Sequence, residues 1–139
     1  MAEHENLQIV TDAYDAISRG DIQSVMEHLT DDVAWELPGP EQIPYAGSFH
    51  GKSGASEFFR RLAESDEVQA FEPKRFFADG DMVVVLGHYT ARVRTTGQTA
   101  DADWVHVFTL RGGKVSSWRE YFDTASYAQA YAPSPALRG

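Results

Sequence analysis

Apolar residues fall at helical spacing early in the chain and at every second position over its latter half. That change of period divides the sequence into helices followed by strands. Leu7, Val10, Tyr14 and Ile17 form one helical stripe, with Gly20 at the stop position. Asp21 can cap a second short helix that carries Ile22, Val25, Met26 and Leu29. Beyond Asp31-Asp32, the run Val33-Ala34-Trp35-Glu36-Leu37 alternates as a strand. Pro38, Gly39, Pro40, Pro44, Gly47 and Gly51 then punctuate a stretch too heavily for regular structure. Tyr45 and Phe49 within it are expected to form a flap. Lys52 to Ser65 reads as a third helix burying Phe58, Phe59 and Leu62. The period of two then predicts strands over 71–79, 82–96, 100–111 and 114–122, joined by short Gly-containing connections that favour antiparallel hairpins. Ser126 to Ala132 predicts a brief closing helix, and residues 133–139 a loose tail.

Helices first and long strands after is an α+β pattern. It predicts a cone-shaped, strongly curved mixed or antiparallel sheet with the N-terminal helices on its concave face, residues 1–139 forming one domain. Strands this long must bend, and a bent sheet closed by helices encloses a cavity. Composition agrees with a globular chain: 42% hydrophobic and 24% charged residues in 139. Net charge is −9, with −11 in residues 1–72 and +2 in residues 73–139, a balance that repels phosphate backbones and argues against a nucleic-acid partner. No apolar run approaches the roughly 20 residues needed to span a bilayer. The polar, acidic start Met1-Ala2-Glu3-His4-Glu5 is unlike a secretion signal, and there is no Cys, so a cytoplasmic location is expected.

The segment from His106 to Asp123, His-Val-Phe-Thr-Leu-Arg-Gly-Gly-Lys-Val-Ser-Ser-Trp-Arg-Glu-Tyr-Phe-Asp, resembles the last hairpin of the NTF2-like superfamily. More narrowly it is similar to SnoaL-like and ketosteroid isomerase-related proteins. The helix-Gly-Asp-helix opening, the Asp-Asp-Val-x-Trp strand and His50-Gly51-Lys52 at the third helix fit in the same order. The superfamily holds isomerases, polyketide cyclases, dehydratases, epoxide hydrolases and non-catalytic binders, so the resemblance specifies fold more than reaction. Trp118 to Asp123 is also similar to the final strand of limonene epoxide hydrolases, as is the closing Leu137-Arg138-Gly139. In that family the position of Glu120 holds a catalytic acid. The Arg and Asp that such hydrolases need, two residues apart on an earlier strand, have no counterpart in Leu86-Gly87-His88-Tyr89-Thr90. This argues against that mechanism.

Side chains alternate across a strand, so one anchored residue orients its neighbours. With Glu120 inward as the resemblance implies, Trp118 and Phe122 point inward too, and Tyr121 and Asp123 do not. The same register turns Ala102, Trp104, His106 and Phe108 inward on the preceding strand, and His88, Thr90 and Arg92 on the one before. Trp35 and Leu37 join from the first strand, Phe58 and Leu62 from the third helix, and Tyr45 or Phe49 at the entrance. The expected pocket suits a flat or polycyclic apolar ligand. Burial among aromatic rings disfavours a carboxyl's charged form, the condition under which Glu120 could act as general base or acid near neutral pH, with His106 or His88 handling the second proton. The structural alternatives are a Glu120 paired with Arg92 or a His, and core histidines at 106 and 88. Asp123 fits an N-cap for the final helix, with a catalytic role held in reserve. His4, His28 and His50 form no spaced ligand set for a metal.

The functional expectation is an acid/base enzyme of isomerase, cyclase or dehydratase type, requiring no metal or organic cofactor, acting on a hydrophobic small molecule. A non-catalytic binding module is the first alternative, and epoxide hydrolysis without the usual Arg/Asp pair the second. An outer sheet face offering Val83, Val85, Tyr89, Val105, Val107 and Tyr121 is expected to support a homodimer.

Overall fold

A computed structural model describes residues 2–132; the expected tail over 133–139, with Leu137-Arg138-Gly139, lies outside the described residues. The first helix, α1 (Ala2–Ser18), buries Val10, Ala13, Tyr14 and Ala16 at the expected spacing. Gly20 ends it in the left-handed region at φ 70°, which lets the Asp21 N–H reach the Ala16 carbonyl at 2.9 Å. Asp21 then caps α2 (Ile22–Glu27), its side chain accepting from the Ser24 N–H at 3.1 Å.

The strands are β1 (Leu29–Leu37), β2 (Gly47–His50), β3 (Asp66–Asp79), β4 (Met82–Val93), β5 (Thr99–Arg111) and β6 (Lys114–Phe122), with α3 (Gly51–Ser65) between β2 and β3. They form one mixed sheet in the order β2-β1-β6-β5-β4-β3. The pair β1/β6 is parallel and every other pair is antiparallel. Register shifts in β1/β6, β3/β4 and β5/β6 bend the sheet around the helices. A short α4 (Thr124–Ala128) and a 3₁₀ turn (Gln129–Tyr131) are the last elements of the described residues. The α+β architecture with a curved sheet is the expected one.

Several boundaries differ from the sequence expectation. Leu29 leaves the helical stripe and opens β1, because α2 stops at Glu27. The Gly/Pro-rich stretch contains β2, held by the free edge of β1 through the pairs Ala34↔His50 to Leu37↔Gly47. β3 begins at Asp66 rather than at residue 71.

The register of β4 is a further correction. Gly87 pairs with Trp104 and His88 with Asp103. Residues paired directly share a face, so Val83, Val85, Gly87 and Tyr89 face the core, whereas His88, Thr90 and Arg92 face outward. The outer face therefore presents Phe77, Val84, Leu86, Val105, Val107 and Tyr121; Val83, Val85 and Tyr89 do not belong to it.

Candidate active site

Between the helices and the sheet lies a cavity of about 650 Å³. Trp35 and Trp118, neighbours across β1/β6, stack at 4.5 Å and form one wall, with Phe58 of α3 packed on both. Further along the same inward sheet face, Trp104 stacks on His106 at 3.7 Å and on Phe71 at 5.4 Å, and His106 in turn lies 4.9 Å from Trp118. Leu37, Leu62 and Phe122 also line the cavity. Rings packed this closely gain stacking energy beyond their apolar burial and give the cavity a largely aromatic lining.

Three side chains form a continuous hydrogen-bonded chain on this surface. Tyr14, from α1, lies 2.7 Å from His106 Nδ1, and His106 Nε2 lies 2.9 Å from Glu120 Oε1. His106 and Glu120 are directly paired across β5/β6, so the hairpin register brings them together. The direction of the chain follows from acidity. Burial pushes the Tyr14 hydroxyl well above its ordinary value, aided by the nearby Glu120 charge. The hydroxyl keeps its proton and donates it to Nδ1. Nε2 then carries the ring hydrogen and donates to Glu120. Burial pushes His106 below its ordinary 6.5, against a smaller upward pull from Glu120. The contact is a hydrogen bond from a neutral ring.

A pH dependence follows. The folded chain holds His106 neutral, so the unfolded chain takes up the proton first. The stability associated with this group is whole above about pH 6.5 and is lost as pH falls from there through the folded-state pKa. Melting temperatures measured from pH 7.5 to 5.5 should fall for the native chain, and the fall should be shallower for His106→Gln. Equal slopes would contradict the assignment.

Two other expected site residues stand elsewhere. His88 lies on the outer face between Asp101 and Asp103, its Nδ1 2.7 Å from Asp103 Oδ1; the Asp103 hydrogen bond leads the effects that raise its pKa. It does not reach the cavity, because Gly87 takes the inward position. Asp123 is the N-cap of α4, accepting from the Ser126 N–H at 3.1 Å. Asp123→Ala should lower stability by about 1 kcal/mol, read as a denaturant midpoint shift, without touching the cavity.

The loop aromatics also differ from a flap. Phe49 is absent from the cavity wall; it packs edge-on against Phe58 at 5.8 Å, with the Arg61 guanidinium 5.5 Å from its ring. Tyr45 does line the cavity, but as a buried wall residue and not at an entrance. Its hydroxyl joins a cluster that the sequence reading missed. Asp66 is 2% exposed and accepts from Tyr89 at 2.7 Å, Tyr45 at 2.8 Å, Ser65 at 2.8 Å and Tyr131 at 2.9 Å. Tyr127 bonds to Tyr45 at 2.7 Å. The spacing of Tyr127 and Tyr131, one turn apart on a closing helix, was the available signal. Among the described residues no three His, Asp or Glu side chains come together to hold a metal. No described helix is long and apolar enough to cross a membrane.

Against known proteins, residues 10–118 match the family model described as a SnoaL-like domain. An NTF2-like protein from Burkholderia xenovorans is 37% identical over 94% of this chain and 98% of its own, with a TM-score of 0.86. An NTF2-like protein from Burkholderia pseudomallei is 28% identical over 92% of this chain and 98% of its own, with a TM-score of 0.84. TerC, co-crystallised with polyporic acid, is 26% identical over 91% of this chain and 98% of its own, with a TM-score of 0.81.

Proposed function

The chain belongs to the SnoaL-like family, and from that premise we propose that it is an acid/base enzyme of the isomerase, cyclase or dehydratase type acting on a ring-bearing hydrophobic small molecule. The observation that carries this reading is the Tyr14–His106–Glu120 chain on the wall of an aromatic cavity. Glu120 is the group placed to touch a ligand. One carboxylate oxygen is held by His106, which leaves the other for a ligand proton. Tyr14 and His106 are positioning residues: they fix the carboxylate through a single ring tautomer.

The chemistry balances without a cation. Glu120 removes a carbon-bound proton next to a ligand carbonyl, and its negative charge passes to the ligand as an enolate. The new Glu120 acid O–H donates to that enolate, then returns the proton at a second atom. Total charge in the cavity is unchanged throughout, which matters on a lining this apolar. Among the described residues no Lys or Arg lines the cavity. TerC, crystallised with polyporic acid, supports a small organic ligand for this fold. The same cavity without turnover would make a binding module, and the two readings separate by experiment.

The test uses 6-hydroxy-2-tetralone in deuterated buffer and follows loss of its carbon-bound protons by NMR. The native chain should accelerate exchange above the buffer rate. His106→Ala should slow it and shift its pH profile while the ligand still binds. Binding without any acceleration would establish the binding module and discard the enzyme.

A further inference from the structure

The Asp66 cluster carries an inference about what the cavity accepts, resting on its being a ligand site as proposed above. A hydroxyl has one proton, and a carboxylate can only accept. Tyr45, Tyr89, Tyr131 and Ser65 all point their hydroxyls at Asp66. Burial, foremost, pushes all four tyrosines, Tyr127 included, above their ordinary values, so each keeps its proton. Tyr45 also lies 2.5 Å from Tyr131, so its proton is held within the Asp66–Tyr131 group, and the 2.7 Å contact has Tyr127 donating to the Tyr45 oxygen. Tyr45, Tyr89 and Tyr127 line the cavity, and what they have left to offer is oxygen lone pairs.

The other end of the cavity has the same polarity. The Tyr14 proton lies on His106, the His106 proton lies on Glu120, and Glu120 accepts. The indole N–H groups of Trp35 and Trp104, which have no partner among the described residues, are shielded beneath neighbouring atoms. Gln69 lines only the exposed rim. Two carboxylates, Glu120 at the surface and Asp66 behind the tyrosines, face the interior with no lining Lys or Arg among the described residues.

We propose that Tyr45, Tyr89 and Tyr127, turned into acceptors by Asp66, form a second subsite that selects an uncharged ring ligand bearing a hydroxyl donor and rejects the same ring as a carboxylate. A ligand O–H completes a hydrogen bond there, a methyl ether cannot, and an anion meets like charge without a counterion.

Three probes of one ring size separate these cases at pH 7: 2-naphthol, 2-methoxynaphthalene and 2-naphthoate, with affinity read from quenching of Trp fluorescence. The expected order is naphthol tightest, the methyl ether roughly tenfold weaker and the anion weaker than the ether. The naphthol-over-ether ratio should collapse toward one in the double variant Tyr89→Phe, Tyr127→Phe. If that variant fails to fold, either single change should lower the ratio at least threefold. In Glu120→Gln the ratio should persist. Equal binding of naphthol and ether, or tight binding of the anion, overturns the subsite. So does a preference that survives the tyrosine changes yet vanishes in Glu120→Gln, which would place the selecting acceptor at Glu120. These results leave proton exchange on the tetralone untouched, so the subsite can fail while the enzyme stands. Absence of binding by all three probes would overturn both.

Discussion

Glu120→Gln should lower proton exchange on a bound ketone by about 10²–10⁴-fold, the usual range for one positioned acid/base group, while leaving the fold and ligand affinity nearly intact. The amide is the same size and keeps a carbonyl oxygen able to accept the His106 Nε2–H, so the 2.9 Å contact has a substitute. What the amide lacks is a lone pair basic enough to take a carbon-bound proton. The effect should therefore appear in the rate constant and not in KM. Full activity in this variant would remove Glu120 from the chemistry, and a collapse of the melting transition would show that its carboxylate is chiefly structural.

The second large effect is at Gly87. Its backbone lies against the Trp104 ring so closely that an added Cβ would stand 2.2 Å from Trp104 Cζ2 and 2.6 Å from the Glu72 carbonyl oxygen. Neither contact is tolerable, and the second is with backbone. Gly87→Ala must push the indole from its slot or open the β3/β4 pairing near Pro73. Overpacking of this kind costs roughly 3 kcal/mol, or about 10 °C in melting temperature for a chain of this size. Function should suffer beyond stability, because Trp104 stacks on His106 at 3.7 Å and a displaced indole lets the imidazole turn away from Glu120. A thermal melt and the exchange assay on the same variant check both parts. An unchanged melt would mean that Trp104 does not occupy this position.

The last hairpin was readable because the resemblance anchors Glu120 inward: Trp118 and Phe122 flank it at the same parity, and the register carries Trp104, His106 and Phe108 inward although Val105 and Val107 between them are apolar too. β4 was not readable in this way. Val83, Val84, Val85 and Leu86 are apolar on both faces, so hydrophobicity does not say which parity is inward, and a shift of one residue exchanges His88 for Tyr89. The deciding contact, Gly87 beneath Trp104, joins two strands and has no local signature. Asp66 was missed for a related reason. Its tyrosine donors come from the loop before β2, from β4 and from the 3₁₀ turn at Gln129–Tyr131, at separations of 21 to 65 residues. Tyr14 sat on the first helical stripe and fitted a core position, and only the fold shows its hydroxyl against His106. β2 existed as a strand only because β1 had an edge to offer.

The ring state of His106 tests the account most directly, since Tyr14, His106 and Glu120 act together only if the ring is neutral and carries its hydrogen on Nε2. Nitrogen-15 NMR of the histidine-labelled chain, titrated from pH 8 to 5, should show His106 as a neutral Nε2–H imidazole at pH 7, protonating only below its ordinary 6.5. In Tyr14→Phe the ring should lose that fixed tautomer. A doubly protonated His106 at pH 7, or a native ring with its hydrogen on Nδ1, would contradict the proton chain from which the function is argued.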